Sequence, residues 1–293
     1  MKSLLSLLRG LLSLLFFSLN TVVWTLPLLV LHLLKLLIPR RGWRARFGRG
    51  QDAIGTAWIA FNNLTLRVLN PVRWDVEGTE GLSRAEWYLV VANHRSWVDI
   101  LVLQKVFNRR IPFLKFFLKK ELFWVPILGL AWWSLDYPFL ERSTRGERDL
   151  ETIRRAADRF SLLPVSIMNF VEGTRFTPEK WGAQRSPYRH LLKPKAGGLA
   201  AILQAMENRV HTLLDVTIVY PGGTPTFWGF LRGGVGEVRV RVKALPLAEI
   251  PLGDYRADKT YRRAFGIWLK EMWSRKDDEI TALLDDPQKP GMS

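Results

Sequence analysis

Residues 87–99 read WYLVVANHRSWVD, a short apolar run that ends in a polar turn. The run from Trp87 to Ala92 lacks polar alternation, which predicts a strand buried on both faces of an α/β sheet. Helical patterning begins again at Trp97, so His94 lies in the turn between strand and helix. Ligand crevices of open α/β sheets form at the carboxyl ends of strands, and His94 is predicted to face such a crevice.

A second apolar run, from Pro164 to Phe170, leads into the polar turn Glu172-Gly173-Thr174-Arg175. Because both turns leave buried strands, we expect them to face one crevice. Further strands are predicted at 72–76 (an edge), 213–219 (buried) and 237–242 (half-exposed), and helices at 45–69, 145–160 and 196–207. The fold class is therefore α/β, with a single mixed-sheet domain over residues 45–293.

The pairing of His94 with Asp99 suits a general base and the carboxylate that orients it. A neutral imidazole can take a proton from an alcohol near pH 7, and a carboxylate on the other ring nitrogen fixes its tautomer. A four-residue spacer lets the chain turn once and return the carboxylate to the ring. Asn93 and Ser96 add polar groups to this turn. A surface histidine with ordinary hydrogen bonds can have the same spacing, so the pair alone leaves both roles open.

The second turn has the composition of an anion site. Gly173 allows the backbone to approach a ligand closely, Thr174 offers a hydroxyl, and the planar fork of Arg175 matches phosphate oxygens. Glu172 can orient the arginine or hold a ligand hydroxyl. An ordinary polar turn with an exposed ion pair has the same composition, so this motif alone is also ambiguous.

The N-terminal segment, residues 1–44, is predicted to be a membrane anchor. Residues 10–34 carry no formal charge and, as one helix, would span about 37 Å, more than a hydrocarbon core of about 30 Å. Pro27 permits a break into two helices, so one crossing and a re-entrant hairpin both fit. The flank after it is basic, which places the main domain on the cytoplasmic side. Its charges are Lys35, Arg40, Arg41, Arg44, Arg46 and Arg49.

The whole chain is strongly basic, with a formal net charge of +16. Such a charge favours a polyanion, either nucleic acid or a membrane surface with anionic lipids. The 13 tryptophans favour the membrane, because Trp is enriched at lipid–water interfaces, and no nucleic-acid motif is recognisable. The absence of cysteine excludes disulfides, thiolate metal sites and a cysteine nucleophile.

Taken together, the motif at 93–99 and the motif at 170–175 resemble those of the glycerolipid acyltransferases, the PlsC-type lysophosphatidate acyltransferases. Residues 139–142 (FLER), 194–198 (PKAGG) and 216–221 (VTIVYP) resemble further blocks of that family. Val171, where many bacterial members have proline, and the segment NHRSW make the chain look closest to the YihG-like branch.

This resemblance implies a mechanism and a set of site residues. His94, oriented by Asp99, would deprotonate the hydroxyl of a lysophospholipid, which attacks the thioester of acyl-CoA or acyl-carrier protein without a cofactor or metal. The implied substrate-binding residues are Asn93, Ser96, Arg142, Glu172, Gly173, Thr174, Arg175 and Lys195, with Arg142, Arg175 and Lys195 on the acceptor phosphate. The implied location is a bacterial inner membrane, with membrane phospholipids as partners and the catalytic domain facing the cytoplasm.

Three alternatives differ from lysophosphatidate acylation. The same chemistry could act on lysophosphatidylglycerol, lysocardiolipin or another lyso-lipid. A membrane-tethered protein could bind nucleic acid through its charge, with a steep salt dependence. Serine hydrolysis through Ser96 lacks a nucleophile-elbow motif. No motif distinguishes the donor type, the acyl-chain length or the oligomeric state.

Overall fold

The central sheet has six strands in a computed structural model that describes residues 2–38, 40–141, 147–160, 162–206 and 209–286. Their order is β1 (Arg73–Glu77), β8 (Glu237–Pro246), β7 (Thr212–Val219), β2 (Tyr88–Ala92), β6 (Ser166–Phe170) and β3 (Leu114–Phe116). Two short strands, β4 (Leu118–Lys119) and β5 (Phe139–Leu140), pair separately. The predicted mixed sheet is confirmed.

Strands β7, β2, β6 and β3 run parallel, whereas β8 is antiparallel to β7 and parallel to β1. Ala92, the last residue of β2, pairs in register with Phe170, the last residue of β6. The polar turns that follow these two strands therefore leave the sheet side by side, as the sequence predicted.

Helices cover both faces of the sheet. They are α1 (Lys2–Leu37), α2 (Arg41–Leu69), α3 (Val98–Phe107), α4 (Leu128–Ser134), α5 (Glu147–Phe160), α6 (Pro178–Gln184), α7 (Ala196–Met206), α8 (Phe227–Leu231) and α9 (Lys259–Asp285). Alternate residues of β2 enter different cores: Val90 packs in a cluster with α3, while Leu89 and Val91 pack in a cluster with α5, α7 and α9. This double burial explains why β2 is apolar throughout.

Strand β8 is more buried than the half-exposed strand predicted for 237–242. Val238, Arg239, Val240 and Val242 are buried, Glu237 and Arg241 are half-buried, and the end of α9 lies against Arg239. Arg239 donates to the carbonyl of Leu283 in α9 and pairs with Glu237. The alternation of apolar and charged residues indicated solvent on the charged face, but Arg239 on that face is buried and paired.

The N-terminal segment forms one continuous helix, α1, with Pro27 inside it, so the alternative of two shorter helices in this stretch is not observed. Ser3–Leu37 is the helix of the described residues that is long and apolar enough to cross a membrane. It packs along α2 and reaches α4 and α8. The boundary predicted after residue 44 falls in the first turn of α2.

Four polar residues of α1, Ser13, Asn20, Thr25 and His32, are buried against the protein, whereas most of its leucines are exposed. Asn20 donates to the carbonyl of Trp58 (3.0 Å) and to Asn62 Oδ1 (2.8 Å) in α2. Ser13 accepts from Asn70, and His32 contacts the carbonyl of Ser134 in α4. The outer face carries a row of exposed apolar side chains: Leu4, Leu8, Leu11, Leu15, Leu19, Val22, Leu26, Val30, Leu33 and Leu37. Such a helix suits an apolar solvent outside and a polar seam inside.

Candidate active site

The turn after β2 is organised around the buried carboxylate of Asp99. Its Oδ2 lies 2.9 Å from His94 Nδ1 and accepts from the backbone N–H groups of Arg95 (2.6 Å) and Ser96 (2.9 Å). Asp99 is fully buried in the first turn of α3, where a negative charge is favoured by the helix dipole. The carboxylate therefore holds the turn and the imidazole together.

His94 is oriented to act as a base through its second ring nitrogen. An ionised carboxylate can only accept, so the proton between the two groups belongs to Nδ1 and the lone pair to Nε2. The ring stacks on Phe170, with centroids 3.8 Å apart and planes 12° from parallel. The His94 side chain is 13% exposed, so it is largely packed but not closed off from solvent.

A third residue completes the dyad and was missed in the sequence. Tyr220, directly after β7, donates its hydroxyl to Asp99 Oδ1 at 2.6 Å. Burial is the main cause that raises the Tyr220 pKa well above its ordinary value, and the neighbouring Asp99 charge adds to it. The signal available was position: β7 and β2 are neighbouring parallel strands, so residues just after β7 lie beside the His94 turn.

Two further contacts fasten the His94 turn to β7 and its following loop. The side-chain amide of Asn93 donates to the carbonyl of Ile218 (2.9 Å) and accepts from its N–H (2.8 Å). Ser96 Oγ donates to the carbonyl of Pro225 at 2.6 Å. Both side chains are buried, and both act in positioning the turn. The Ser96 hydroxyl is engaged away from the imidazole, which does not favour the serine-hydrolase alternative.

Glu172 links the two motifs. Its Oε1 accepts from the N–H of His94 (2.8 Å) and its Oε2 from the N–H of Leu192 (2.9 Å), and the side chain is fully buried. The carbonyl of His94 in turn accepts from the N–H of Phe176 at 2.8 Å. Burial raises the pKa of Glu172 to about 7, against the opposing effect of the two N–H donors. By these contacts Glu172 belongs to the support of the His94 turn.

The side chain of Lys195 lies against the backbone of the turn at Gly173. Gly173 has φ +68°, a left-handed conformation that favours glycine. A methyl group at this position would lie 3.1 Å from Cδ and 3.3 Å from Nζ of Lys195. The N–H of Lys195 donates to the carbonyl of Val171 at 2.8 Å, which fixes the lysine beside the turn at the start of α7. Gly173 and Lys195, 22 positions apart, thus meet at one place.

Arg175 and Lys180 complete a cationic surface around this turn. The Arg175 side chain is exposed and its guanidinium lies 5.0 Å above the ring of Trp97. Lys180, which the sequence did not single out, donates to Thr174 Oγ1 (2.8 Å) and to the carbonyl of Arg175 (3.2 Å). Within the described ranges no carboxylate lies in salt-bridge distance of Arg175, Lys180 or Lys195. The turn has positive charge available for an anion.

The predicted site residues fall into three groups. His94, Asp99, Gly173, Thr174, Arg175 and Lys195 lie around the two neighbouring turns. The side chains of Asn93, Ser96 and Glu172 are occupied by protein contacts, and direct substrate contact by them stays a prediction that their burial does not favour. Arg142 lies outside the described residues.

Comparisons with known proteins agree on one family. A family model described as Acyltransferase matches residues 73–223, just over half of the chain. The chain is 29% identical over 222 residues to 1-acyl-sn-glycerol-3-phosphate acyltransferase 3 of Arabidopsis thaliana, covering 70% of this chain and 56% of that protein. It is 29% identical over 205 residues to the gamma enzyme of Mus musculus, covering 66% and 52%. The chain spans about half the length of these curated relatives.

One solved structure has the same fold along the whole chain. The 1-acyl-sn-glycerophosphate (LPA) acyltransferase PlsC of Thermotoga maritima superposes with a TM-score of 0.57 and covers 99% of this chain and 100% of its own. At 18% identity this likeness concerns the fold alone. The predicted resemblance to PlsC-type acyltransferases is confirmed at the level of family and fold, while the YihG-like branch stays a prediction.

Proposed function

The chain belongs to the acyltransferase family, and from this premise we propose that it transfers a fatty acyl group from a thioester to the free hydroxyl of 1-acyl-sn-glycerol 3-phosphate. The observation that carries the proposal is the adjacency of the two turns. An oriented base, His94, and a cationic surface without carboxylate partners leave neighbouring parallel strands at paired residues. The curated relatives named for this acceptor support the choice of lysophosphatidate over other lyso-lipids.

In the proposed reaction His94 moves one proton twice. Its Nε2 takes the proton from the acceptor hydroxyl as the oxygen attacks the thioester carbonyl. The new C–O bond forms, the C–S bond breaks, and the imidazolium returns the proton to the departing thiolate. Asp99 stabilises the imidazolium and keeps Nε2 toward the substrate. The thioester supplies the activation, so no acyl-enzyme or cofactor takes part, and either acyl-CoA or acyl-carrier protein could be the donor.

The acceptor phosphate is assigned to the Gly173 turn. Arg175 can give two parallel hydrogen bonds to phosphate oxygens, and Lys195 adds a charge on the other side of the glycine. Lys180 orients Thr174 and contributes a third charge. Arg142 keeps its predicted role as a further phosphate contact. Holding both lipids in this way lowers the entropic cost of bringing the hydroxyl to the thioester.

The proposed location is a membrane surface, with the domain on the cytoplasmic side. The buried polar side chains of α1 bond to α2 and α4, and its exposed leucines favour an apolar solvent. Because α1 contacts the domain at α4 and at α8, both of its ends lie beside the domain, which favours a helix in the plane of one leaflet.

The function is tested with purified full-length chain in phospholipid vesicles. Labelled acyl-CoA and acyl-carrier protein are offered with lysophosphatidate, lysophosphatidylglycerol and lysocardiolipin. We expect transfer to lysophosphatidate, its loss in His94→Ala, and normal transfer in His211→Ala, an exposed histidine elsewhere. Transfer that survives in the His94→Ala variant would show that His94 is not the base of the reaction. Polyanion binding without any transfer would favour the nucleic-acid alternative.

The membrane geometry can be tested with single cysteines, because the chain has none of its own. Leu5, Val23 and Leu36 are similarly exposed, at 59%, 60% and 59%. With a spin label at each, an in-plane helix gives three similar shallow depths. A spanning helix gives a deep label at Val23 and one end that a non-permeant reagent reaches only from the far side.

A further inference from the structure

The two oxygens of Asp99 have separate partners. Oδ2 serves His94 Nδ1 and two backbone N–H groups, whereas Oδ1 accepts from the hydroxyl of Tyr220 at 2.6 Å. Tyr220 is 6% exposed and follows β7 directly. Its position is fixed by the strand on one side, where Asn93 clamps Ile218, and by Pro221 on the other.

We propose that Tyr220 is a positioning residue that sets the basicity of His94 through Asp99. The inference deepens the proposed function and rests on it, because it assigns a further residue to the same proton transfer. Tyr220 does not touch the imidazole. It acts on the carboxylate that does, and it holds the oxygen that His94 does not use.

The physical argument concerns the charge on Asp99. A hydrogen bond donated to an ionised carboxylate stabilises the ion and disperses its charge. Asp99 then attracts the proton on Nδ1 less strongly, so the imidazolium is less favoured and His94 stays neutral to lower pH. Without the hydroxyl, Oδ1 would be a buried acceptor with no partner, and its charge would act fully on the ring.

Other charged groups near the dyad come from three elements. Arg95 lies in the same turn, Glu172 lies beyond β6, and Asp277 of α9 acts on Arg95. None of the hydrogen bonds of these side chains involves Tyr220. A change at Tyr220 therefore leaves their contacts in place, and the difference between variant and wild-type pH profiles reports the dyad.

The first test is the pH profile of kcat/KM for Tyr220→Phe, which keeps the ring and removes the hydroxyl. We expect the acidic limb to move upward by about half a pH unit to one pH unit, since the imidazolium becomes more stable. On the acidic limb, well below its midpoint, this corresponds to a loss of about three- to tenfold in kcat/KM, with the KM of both substrates nearly unchanged. Tyr88→Phe is the matched control, because Tyr88 is buried at the opposite end of β2 and should leave the profile unchanged.

A second variant changes the sign of the effect. Replacement of Tyr220 by 3,5-difluorotyrosine strengthens the donor, and the acidic limb should move downward. Opposite shifts in the two variants support the proposal. A uniform loss at every pH with an unmoved limb, or equal shifts in both variants, would overturn it. The wild-type chain measured alongside keeps the outcomes separate: if it acylates no lysophosphatidate, the proposed function fails, and if it does, only the role of Tyr220 is in question.

Discussion

The turns after β2 and β6 have equivalent places in the sheet but differ in how their polar side chains are used. Each follows a five-residue strand, and the two strands pair in register. In the His94 turn the polar groups bond to other groups of the protein. Asp99 is fully buried and accepts four hydrogen bonds. The Gly173 turn leaves Arg175 and Lys195 exposed, without carboxylate partners among the described residues.

This difference matches the two tasks of the proposed reaction. A proton-transfer group needs a fixed tautomer and a fixed direction, which a closed network supplies. A phosphate site needs charge that is not already neutralised, which an open turn supplies. Glu172 shows that the division does not follow the motifs: it belongs to the second motif in sequence and to the first turn in space.

The largest effect is expected in the closed turn, from Asp99→Asn. The amide cannot serve both His94 Nδ1–H and the two backbone donors, so the other tautomer of His94 is favoured. We expect kcat to fall by about 10²- to 10⁴-fold with little change in either KM. Steady-state kinetics in vesicles measures this, and Asp278→Asn, an exposed position on α9, is the control. A fall of less than tenfold would mean that the closed network is not needed for the base.

The sequence predicted the two turns and their main residues, but not the long-range hydrogen bonds that hold them. Strand ends, the His94–Asp99 pair and the glycine turn follow from local patterns, because burial and turn chemistry act over a few residues. Tyr220 is 121 positions from its partner Asp99, and the N–H of Leu192 is 20 positions from its acceptor Glu172. Such contacts depend on strand order, and one sequence does not encode that order in a readable pattern.

Hydropathy also failed to predict buried polar residues in two other regions. The alternation in β8 indicated a solvent-exposed charged face, but α9 covers that face at Arg239. In α1 the sequence predicted a membrane anchor but did not single out Ser13, Asn20 and His32, which are buried. In both regions a polar residue is inside because a partner from a distant element satisfies it.

A second prediction concerns the residue that joins the two turns, through the pH dependence of stability. The Glu172 pKa is raised from 4.5 in the unfolded chain to about 7 in the folded protein. Below pH 4.5 the carboxyl is protonated in both states and its stabilising contribution is fully present. Between these values only the unfolded chain ionises, so the free energy of unfolding falls as pH rises, by roughly 3 kcal/mol in total.

Glu172→Gln removes this titration while keeping the shape of the side chain. The unfolding free energy of the wild type should therefore fall relative to that of Glu172→Gln between about pH 4.5 and pH 7. Denaturant unfolding in detergent at several pH values measures the difference. Parallel curves for the two proteins would mean that Glu172 stays ionised over the whole range, held by the N–H groups of His94 and Leu192.

A smaller effect is expected in the open turn, from Arg175→Lys. The charge remains but the bidentate fork is lost, so KM for lysophosphatidate should rise about tenfold while kcat and the donor KM change little. Arg155→Lys, at an exposed position on α5, is the matched control. A defect confined to the KM of the acyl donor would mean that Arg175 does not bind the acceptor phosphate. Lys195 or Arg142 would then be the better candidate for that contact.

The smallest effect is expected from Lys180→Met, which tests whether the open turn is organised at all. Lys180 Nζ holds Thr174 Oγ1 and the carbonyl of Arg175, so its loss should loosen the turn and remove one charge. An exposed hydrogen bond of this kind contributes about 0.5–1 kcal/mol, the lower part of the usual range, which predicts a two- to fivefold rise in the acceptor KM. If the turn binds phosphate, the double variant Lys180→Met with Arg175→Lys should show less than the product of the two separate effects, since both act through the Arg175 backbone and side chain. Full additivity would instead mean that the lysine and the arginine act independently, and that the Gly173 turn is a set of separate charges and not one preorganised site.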